Sequence, residues 1–303
     1  MPMAPGGRSL PVPSRACRDW EGSTMPARLS PEDAARLRDY ERRRHDELAE
    51  GYQRFFAPVT PLAIGPLLEA VSAGPGVRLL DVAAGAGALS AEAARRGARP
   101  IGVDLSPRMV ELARSRHPGI DFRVGEVEQL PLGDGAVDAV ACAFGLGHFP
   151  YPEAAVAECL RVLAPGGRVA FSWWDASERQ RIQGLFREAV AEVGAEAPPL
   201  VPKGHSSLRF CDPGELRRLL EGAGLAEVTI AEHGATHLVA DVDALWQGGL
   251  GSLALTSSLI VFQDAATQAA IRAALERRAA PYRTPEGLRL PIAFRVGAGR
   301  KPG

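Results

Sequence analysis

Between residues 77 and 174, short apolar runs alternate with segments whose apolar residues recur every three or four positions. A short apolar run between turn signals reads as a strand buried on both faces, and the three-to-four recurrence reads as a helix with one buried stripe. Strands are expected at Val77–Val82, Pro100–Asp104, Ile120–Val124, Val137–Ala143 and Arg168–Trp174. Helices are expected from Ala88 to Arg96, from Ser106-Pro107 to Arg116, and where Val156, Cys159, Leu160 and Leu163 share a face. Ala164-Pro165-Gly166-Gly167 turns the chain into the fifth strand. Such alternation with short links predicts an α/β fold with a parallel sheet, helices on both faces and right-handed crossovers.

The pattern differs on either side. Ser30-Pro31-Glu32-Asp33 is a helix start, with Ser as N-cap and Pro at the first helical position. Leu37, Tyr40, Arg44, Leu48, Tyr52 and Phe55 follow on one face, while Glu41-Arg42-Arg43 reads as the solvated opposite face. Pro58 and Pro61 break this helix, and a second runs from Leu62 to Val71. After Trp174 a helical pattern covers Gln180–Val193, and Asp212-Pro213-Gly214-Glu215 caps another helix. A strand is expected at Leu225–Glu232, a helical insertion at Asp241–Arg278 and a last strand at Leu290–Val296. The expected division is a tail at 1–28, an N-terminal helical lid at 29–76, a core at 77–174 and 212–303, and insertions at 175–211 and 241–284. Lid and insertions together would cap the carboxyl edge of the sheet, where open α/β sheets hold ligands. The tail has Pro, Gly and Arg without periodicity and reads as disordered; Met25 is a candidate natural start.

Composition narrows the partners. The 303 residues carry a net charge of −1 and are 46% hydrophobic, which suits a globular core and gives no bulk attraction to nucleic acid or anionic membrane. The apolar stretch near Leu250–Phe262 is too short and interrupted to span a bilayer, and no apolar segment of signal-peptide length opens the chain. Cys17, Cys142, Cys159 and Cys211 have neither CxxC nor zinc-ligand spacing, so they read as free thiols in a cytoplasmic protein with no metal site.

The chemistry-bearing stretch is Asp81–Ser90, "DVAAGAGALS". Gly85 and Gly87 permit positive φ and leave no Cβ between backbone and ligand. A strand–Gly-x-Gly–helix turn alone is shared by many nucleotide-binding folds, but Ser90 replaces the third glycine of a dinucleotide fingerprint. Asp81, at the strand's ligand end, would repel a pyrophosphate and suit an amine-bearing ligand. Asp104, closing the second strand, is placed to accept from a ribose diol. One acid for ribose, one for a positive group and no phosphate device point to S-adenosylmethionine.

The blocks "LLDVAAGAG", "IGVDLSPRMVELAR", "FRVGEVEQLPLGDGAVDAVACAFGLGHF" and "ECLRVLAPGGRVAFSWW" resemble the class I S-adenosylmethionine-dependent methyltransferases. The similarity is to the small-molecule branch that includes the ubiquinone/menaquinone-biosynthesis type. It implies a Rossmann-like seven-stranded sheet whose last strand runs antiparallel. By motif, it implies that Asp81, Ala83, Gly85 and Gly87 line the methionine moiety, with Asp81 reaching its ammonium. Asp104 would hold the ribose hydroxyls, Leu105 and Met109 would pack near adenine, and Glu126 and Val127 would meet the adenine amino group and ring. Ala143 and Phe144 would offer a carbonyl to the ammonium. Ala84 and Ala86 depart from the commoner Cys or Gly and Thr, and Glu126 from the commoner Asp. Tyr52 and Phe55 are placed to close over the cofactor from the lid.

Methyl transfer from a sulfonium needs two reactants positioned and water excluded. A hydroxyl, phenol or acidic carbon also needs a base, and His148, just after the fourth strand, is the candidate; packing beside the cofactor is its other reading. His205, His233, His237, Trp173, Trp174 and Trp246 are weaker candidates for the acceptor wall. Leu250, Leu253, Leu255, Leu259, Ile260 and Phe262 suit a largely apolar small substrate, unless they pack the cap on the core. The expected partner is therefore a small-molecule O-, N- or C-acceptor, with neither nucleic acid nor membrane, and a homodimer is compatible with the chain. The rival readings are a decarboxylase or cyclase using the same cofactor, a non-catalytic accessory subunit and, least consistent with the glycines, a nicotinamide dehydrogenase.

Overall fold

The computed structural model describes residues 29–56, 58–199, 201–202 and 208–303. The expected tail, Cys17 and His205 lie outside the described residues. The first helix, α1 (Pro31–Phe56), starts where Ser30 Oγ accepts from the Asp33 amide at 3.1 Å. A 3-10 turn at Thr60–Ala63 then leads into α2 (Ile64–Ala70), which replaces the single helix expected from Leu62.

The sheet begins with β1 (Arg78–Val82), α3 (Ala88–Arg95), β2 (Arg99–Asp104), α4 (Pro107–Arg116), β3 (Asp121–Val124) and β4 (Val137–Ala143). It continues with α5 (Pro152–Val162), β5 (Leu163–Trp174), α6 (Arg181–Val193), α7 (Pro213–Gly222) and β6 (Ala226–Val239). Three helices, α8 (Val242–Leu250), α9 (Ala254–Val261) and α10 (Ala265–Ala279), precede β7 (Arg283–Thr284) and β8 (Gly287–Arg300). The strand order is β3-β2-β1-β4-β5-β8-β6, with the two-residue β7 paired to β8. β3 to β5 pair in parallel and β8 runs antiparallel to both neighbours, so the seven main strands follow the implied plan.

Continuous burial explains why the central strands read as unbroken apolar runs. Leu79 to Val82 in β1 and Ala139 to Cys142 in β4 are buried residue after residue, which requires helices on both faces. Leu79, Leu80, Val140 and Phe171 are wholly shielded. Each such side chain contributes about 1.5–3 kcal/mol. Cys142, Cys159 and Cys211 are buried among these groups.

Three expectations change. The Ala164–Gly167 turn lies inside β5 as an irregularity, where pairing steps from Val137–Leu163 to Ala139–Arg168. β6 and β8 pair from Thr229–Ala298 to Val239–Leu288, well past Glu232. The half-exposed residues of that extension lack the apolar alternation that marks a buried strand. The helical insertion after Asp241 is three helices, one of them capped by Asp264 on the Thr267 amide at 2.8 Å.

Helix α1 packs on α4, α8 and α9, and α6 packs on α10. With 26 residues, α1 is roughly 39 Å long at 1.5 Å per residue, enough to cross the carboxyl ends of several strands. Tyr40 donates to the Ala254 carbonyl at 3.3 Å, and Arg44 to Ser257 Oγ at 2.9 Å. Asp46 accepts from Ser106 Oγ and from the Arg108 amide, at the start of α4.

Candidate active site

The strands β1, β2 and β4 end on one side of the sheet, and α1 lies over that side. Between them is a cavity that opens to solvent, with about 700 Å³ of empty space including its mouth. Its walls are Val82 and Ala83 at the end of β1, Val103 to Ser106 at the end of β2, Gly125 to Glu128 after β3, Gly145 and His148 to Pro150 after β4, and Arg38, Glu41, Arg42 and His45 from α1. Four carboxylates (Glu41, Asp104, Glu126, Glu128) face two guanidiniums (Arg38, Arg42). That balance favours a ligand with positive charge.

The β1–α3 turn carries the strain expected of a binding loop. Ala83 has φ +56°, Gly85 +52° and Gly87 +85°. A Cβ on Gly85 would meet nothing within 4 Å, so the space beside it is open to a ligand. A Cβ on Gly87 would lie 2.6 Å from the Phe122 ring, so this second glycine is required by packing. Asp104 braces the turn: Oδ2 accepts from the Gly85 amide at 2.8 Å and Oδ1 from the Ser106 amide at 2.9 Å. Burial raises its carboxyl above the usual range, against the pull of those two amides.

Asp81, expected to reach the methionine ammonium, is engaged by Ser90. It is 1% exposed, lies outside the cavity walls, and its Oδ2 accepts from the Ser90 amide at 3.0 Å and Ser90 Oγ at 2.7 Å. Burial lifts its carboxyl to about 7, with Ser90 acting in the opposite direction.

Of the other expected cofactor residues, Leu105, Glu126 and Val127 line the cavity with Ala83 and Asp104. Glu126 Oε1 is in ion-pair contact with Arg38 Nε, and Glu128 lies 3.8 Å from the same guanidinium. Gly85, Gly87, Met109, Ala143, Phe144 and Tyr52 are not among the residues that line the cavity. Met109 is buried, and its amide donates to Ser106 Oγ at 3.0 Å. Ala143 is half-buried, next to Phe144. Phe144 has φ +58°, uncommon for a bulky residue, and stacks on Trp174 at 3.7 Å. Tyr52 stacks on Phe56, and burial pushes its hydroxyl up to about 12.

His148 lines the cavity in the 3-10 turn after β4, its ring edge-on to Trp173 at 5.7 Å. The two tryptophans thus part company, Trp174 towards Phe144 and Trp173 towards His148. His148 Nδ1 lies 3.2 Å from Glu41 Oε2. Burial disfavours its charged form, but the Glu41 carboxylate, with a smaller contribution from Asp104, leaves the imidazole above its ordinary value. His45, one turn along α1, sits edge-on to His148 at 5.1 Å. His233 stacks on Phe294, His237 meets Phe55, and Trp246 stacks on Phe186, none of them in the cavity.

Glu41 corrects the sequence expectation. It belongs to a run read as solvated, yet it is 8% exposed. Its spacing from Leu37 and His45, four residues on either side, is the signal that places it on the inner face.

Known proteins fit this geometry. The family model for a methyltransferase domain matches residues 80–171. The chain is 41% identical over 180 residues to the ubiquinone biosynthesis O-methyltransferase of Xanthomonas axonopodis pv. citri, covering 55% of this chain and 72% of that protein. It is 38% identical over 141 residues to the demethylmenaquinone methyltransferase of Renibacterium salmoninarum, covering 46% and 58%. In fold it is similar to the YcgJ protein of Bacillus subtilis, with a TM-score of 0.54 and 22% identity over 80% of this chain and 98% of that one.

Proposed function

The chain belongs to the class I S-adenosylmethionine-dependent methyltransferases and methylates a small molecule, and from that premise we propose that the acceptor atom is an oxygen on a largely apolar ring. The observation that carries this reading is His148, a half-buried imidazole in the same cavity as Asp104. A hydroxyl becomes a competent nucleophile only as its proton leaves, and an imidazole placed there is the group to take it. The relatives named as O-methyltransferases support the choice of oxygen.

The residues present fit the cofactor. The open space at Gly85 and the excess of acids suit a nucleoside sulfonium. Asp104 would turn its carboxylate to the ribose hydroxyls, Glu126 and Val127 would meet adenine, and Leu105 and Met109 would pack its face. Ala83, Gly85 and Gly87 would flank the methionine portion. Asp81, with Ala143 and Phe144, would receive the ammonium once Asp81 ionises. When bound, the cofactor supplies an electrophilic methyl group on sulfur. The protein's part is to hold the two reactants in line, exclude water beneath α1 and accept a proton at His148. Tyr52 would act from behind, through Phe56.

No single helix among the described residues is long and apolar enough to cross a membrane. We assign the protein to the cytoplasm; a homodimer is the assembly to test by sedimentation.

The test is a titration of the protein with S-adenosylmethionine and with dinucleotides, followed by an acceptor screen read by mass. The sulfonium should bind, the dinucleotides should not, and the product should gain one methyl. Asp104→Ala should weaken cofactor binding by about 1.5–3 kcal/mol, the worth of hydrogen bonds to a charged group. Binding of dinucleotides alone would refute the reading, and turnover without a methyl gained would favour decarboxylation or cyclisation.

A further inference from the structure

We propose that Glu41 is a positioning residue for the proton-accepting His148, so that the base is complete only with α1 seated over the cavity. The inference rests on the oxygen-acceptor reading of the same site.

Glu41 Oε2 stands 3.2 Å from His148 Nδ1. A carboxylate accepts and cannot donate, so the neutral imidazole places its proton on Nδ1 and leaves Nε2 as the basic nitrogen. The carboxylate then stabilises the imidazolium formed when that nitrogen takes a proton, the same logic by which an acid orients a catalytic histidine elsewhere. Glu41 is 8% exposed, so this interaction is little screened by water.

The pair spans 107 residues of sequence and joins the lid to the sheet. Asp46 holds α1 to the start of α4, and Tyr40 and Arg44 hold it to α9. If α1 lifted, Glu41 would leave with it and His148 would revert to an exposed, unoriented imidazole. Seating the lid thus excludes water and sets the tautomer in one movement.

The charged groups around His148 are Arg38, Glu41, Arg42 and His45 from α1, Asp104 from β2, and Glu126 and Glu128 after β3; Trp173 from β5 is neutral. Arg38 is engaged with Glu126 and Glu128, and Arg42 with Asp39 and Asp46. Glu41, His45 and His148 also bring ligand-capable atoms within 4.8 Å of one another. However, His45 Nδ1 is 2.8 Å from the Glu41 carbonyl and 3.4 Å from its carboxylate, which directs its proton into the helix backbone. A hydrogen-bonded chain describes these contacts without a metal.

The experiment is an imidazole NMR titration of the protein bound to S-adenosylhomocysteine, with His148→Ala identifying the signal. In the wild type the His148 resonance should titrate above the ordinary imidazole range. In Glu41→Gln, which keeps the shape and removes the charge, it should fall by about one pH unit. The inflection of kcat/KM should move down with it, using 4-methylcatechol as acceptor probe, while the plateau drops about tenfold or more. Glu41→Asp should restore part of the shift, and serves as the readout if Glu41→Gln folds poorly. An unchanged His148 titration in Glu41→Gln overturns the inference. Loss of activity in chelator that zinc restores overturns it too, by making the three groups metal ligands. A wild type that neither binds the sulfonium nor methylates defeats the underlying reading instead.

Discussion

The β1–α3 turn and helix α1 face each other across one cavity, and they are built in opposite ways. The turn is local. Asp81 answers Ser90 nine residues away, Asp104 answers Ser106 two residues on and Gly85 nineteen residues back, and both glycines adopt positive φ. Helix α1 is an ordinary amphipathic helix whose functional contacts are distant, from Asp46 to Ser106 and from Glu41 to His148. A turn of this kind is preformed and can bind as it stands. A helix held by a few polar contacts can leave and return, which is the behaviour required of a cover.

The largest effect should come from damaging the turn. Gly87→Ala places a Cβ 2.6 Å from the Phe122 ring and forces a non-glycine residue to φ +85°. Phe122 is 2% exposed and packs with Val110 and Ala113, so it has little room to move. Strain and overpacking together should cost about 2–4 kcal/mol of stability, measured by urea denaturation. Gly85→Ala, with open space at its Cβ, should cost less stability and more cofactor affinity. The reverse ranking would show that Phe122 yields and that Gly85 does not face the ligand.

These particulars explain what sequence reveals and what it withholds. Gly85 and Asp104 are legible because they lie in one β1–α3–β2 unit, so spacing carries the geometry. The parallel sheet is legible for the same reason: each βα step constrains the next. Glu41 was hidden because burial of a charge depends on the remote His148 that receives it. The extension of β6 and β8 was hidden because half-exposed polar residues such as Thr236 and His237 look like loop, and only the partner strand makes them a ladder. Asp81's inward turn was unreadable, since a carboxylate at a strand end serves a ligand and a helix amide equally well.

A smaller effect separates the two acids of the turn. Asp81 titrates near 7 in the fold because burial penalises its charge, against about 3.9 unfolded. Its folded value is raised, so its stabilising contribution is full below about pH 4 and is lost as pH rises through about 7. An ammonium ligand reverses that preference. Binding should therefore expel a proton, and affinity should rise about tenfold from pH 6 to pH 8. Calorimetry in two buffers of different ionisation enthalpy detects the proton. In Asp81→Asn that part of the pH dependence should vanish; if it persists, the ammonium is held by other groups.

The smallest effect lies at the junction between the two regions. Ser106 Oγ accepts from the Met109 amide as N-cap of α4 and donates to Asp46 on α1. Ser106→Ala removes both, and should cost about 1 kcal/mol, mostly from the cap. Asp46→Ala removes the tether together with its longer contacts to the Arg108 amide and Arg42, and should cost less, because its side chain is 29% exposed and water replaces these bonds. If the tether holds the lid, the double variant should be less destabilised than the sum of the singles. Asp46→Ala should then also speed hydrogen exchange along α1 while leaving the β1–α3 turn protected. Strict additivity with unchanged exchange would mean that α1 is held by its packing on α8 and α9, and that the polar contact at Ser106 serves α4 alone.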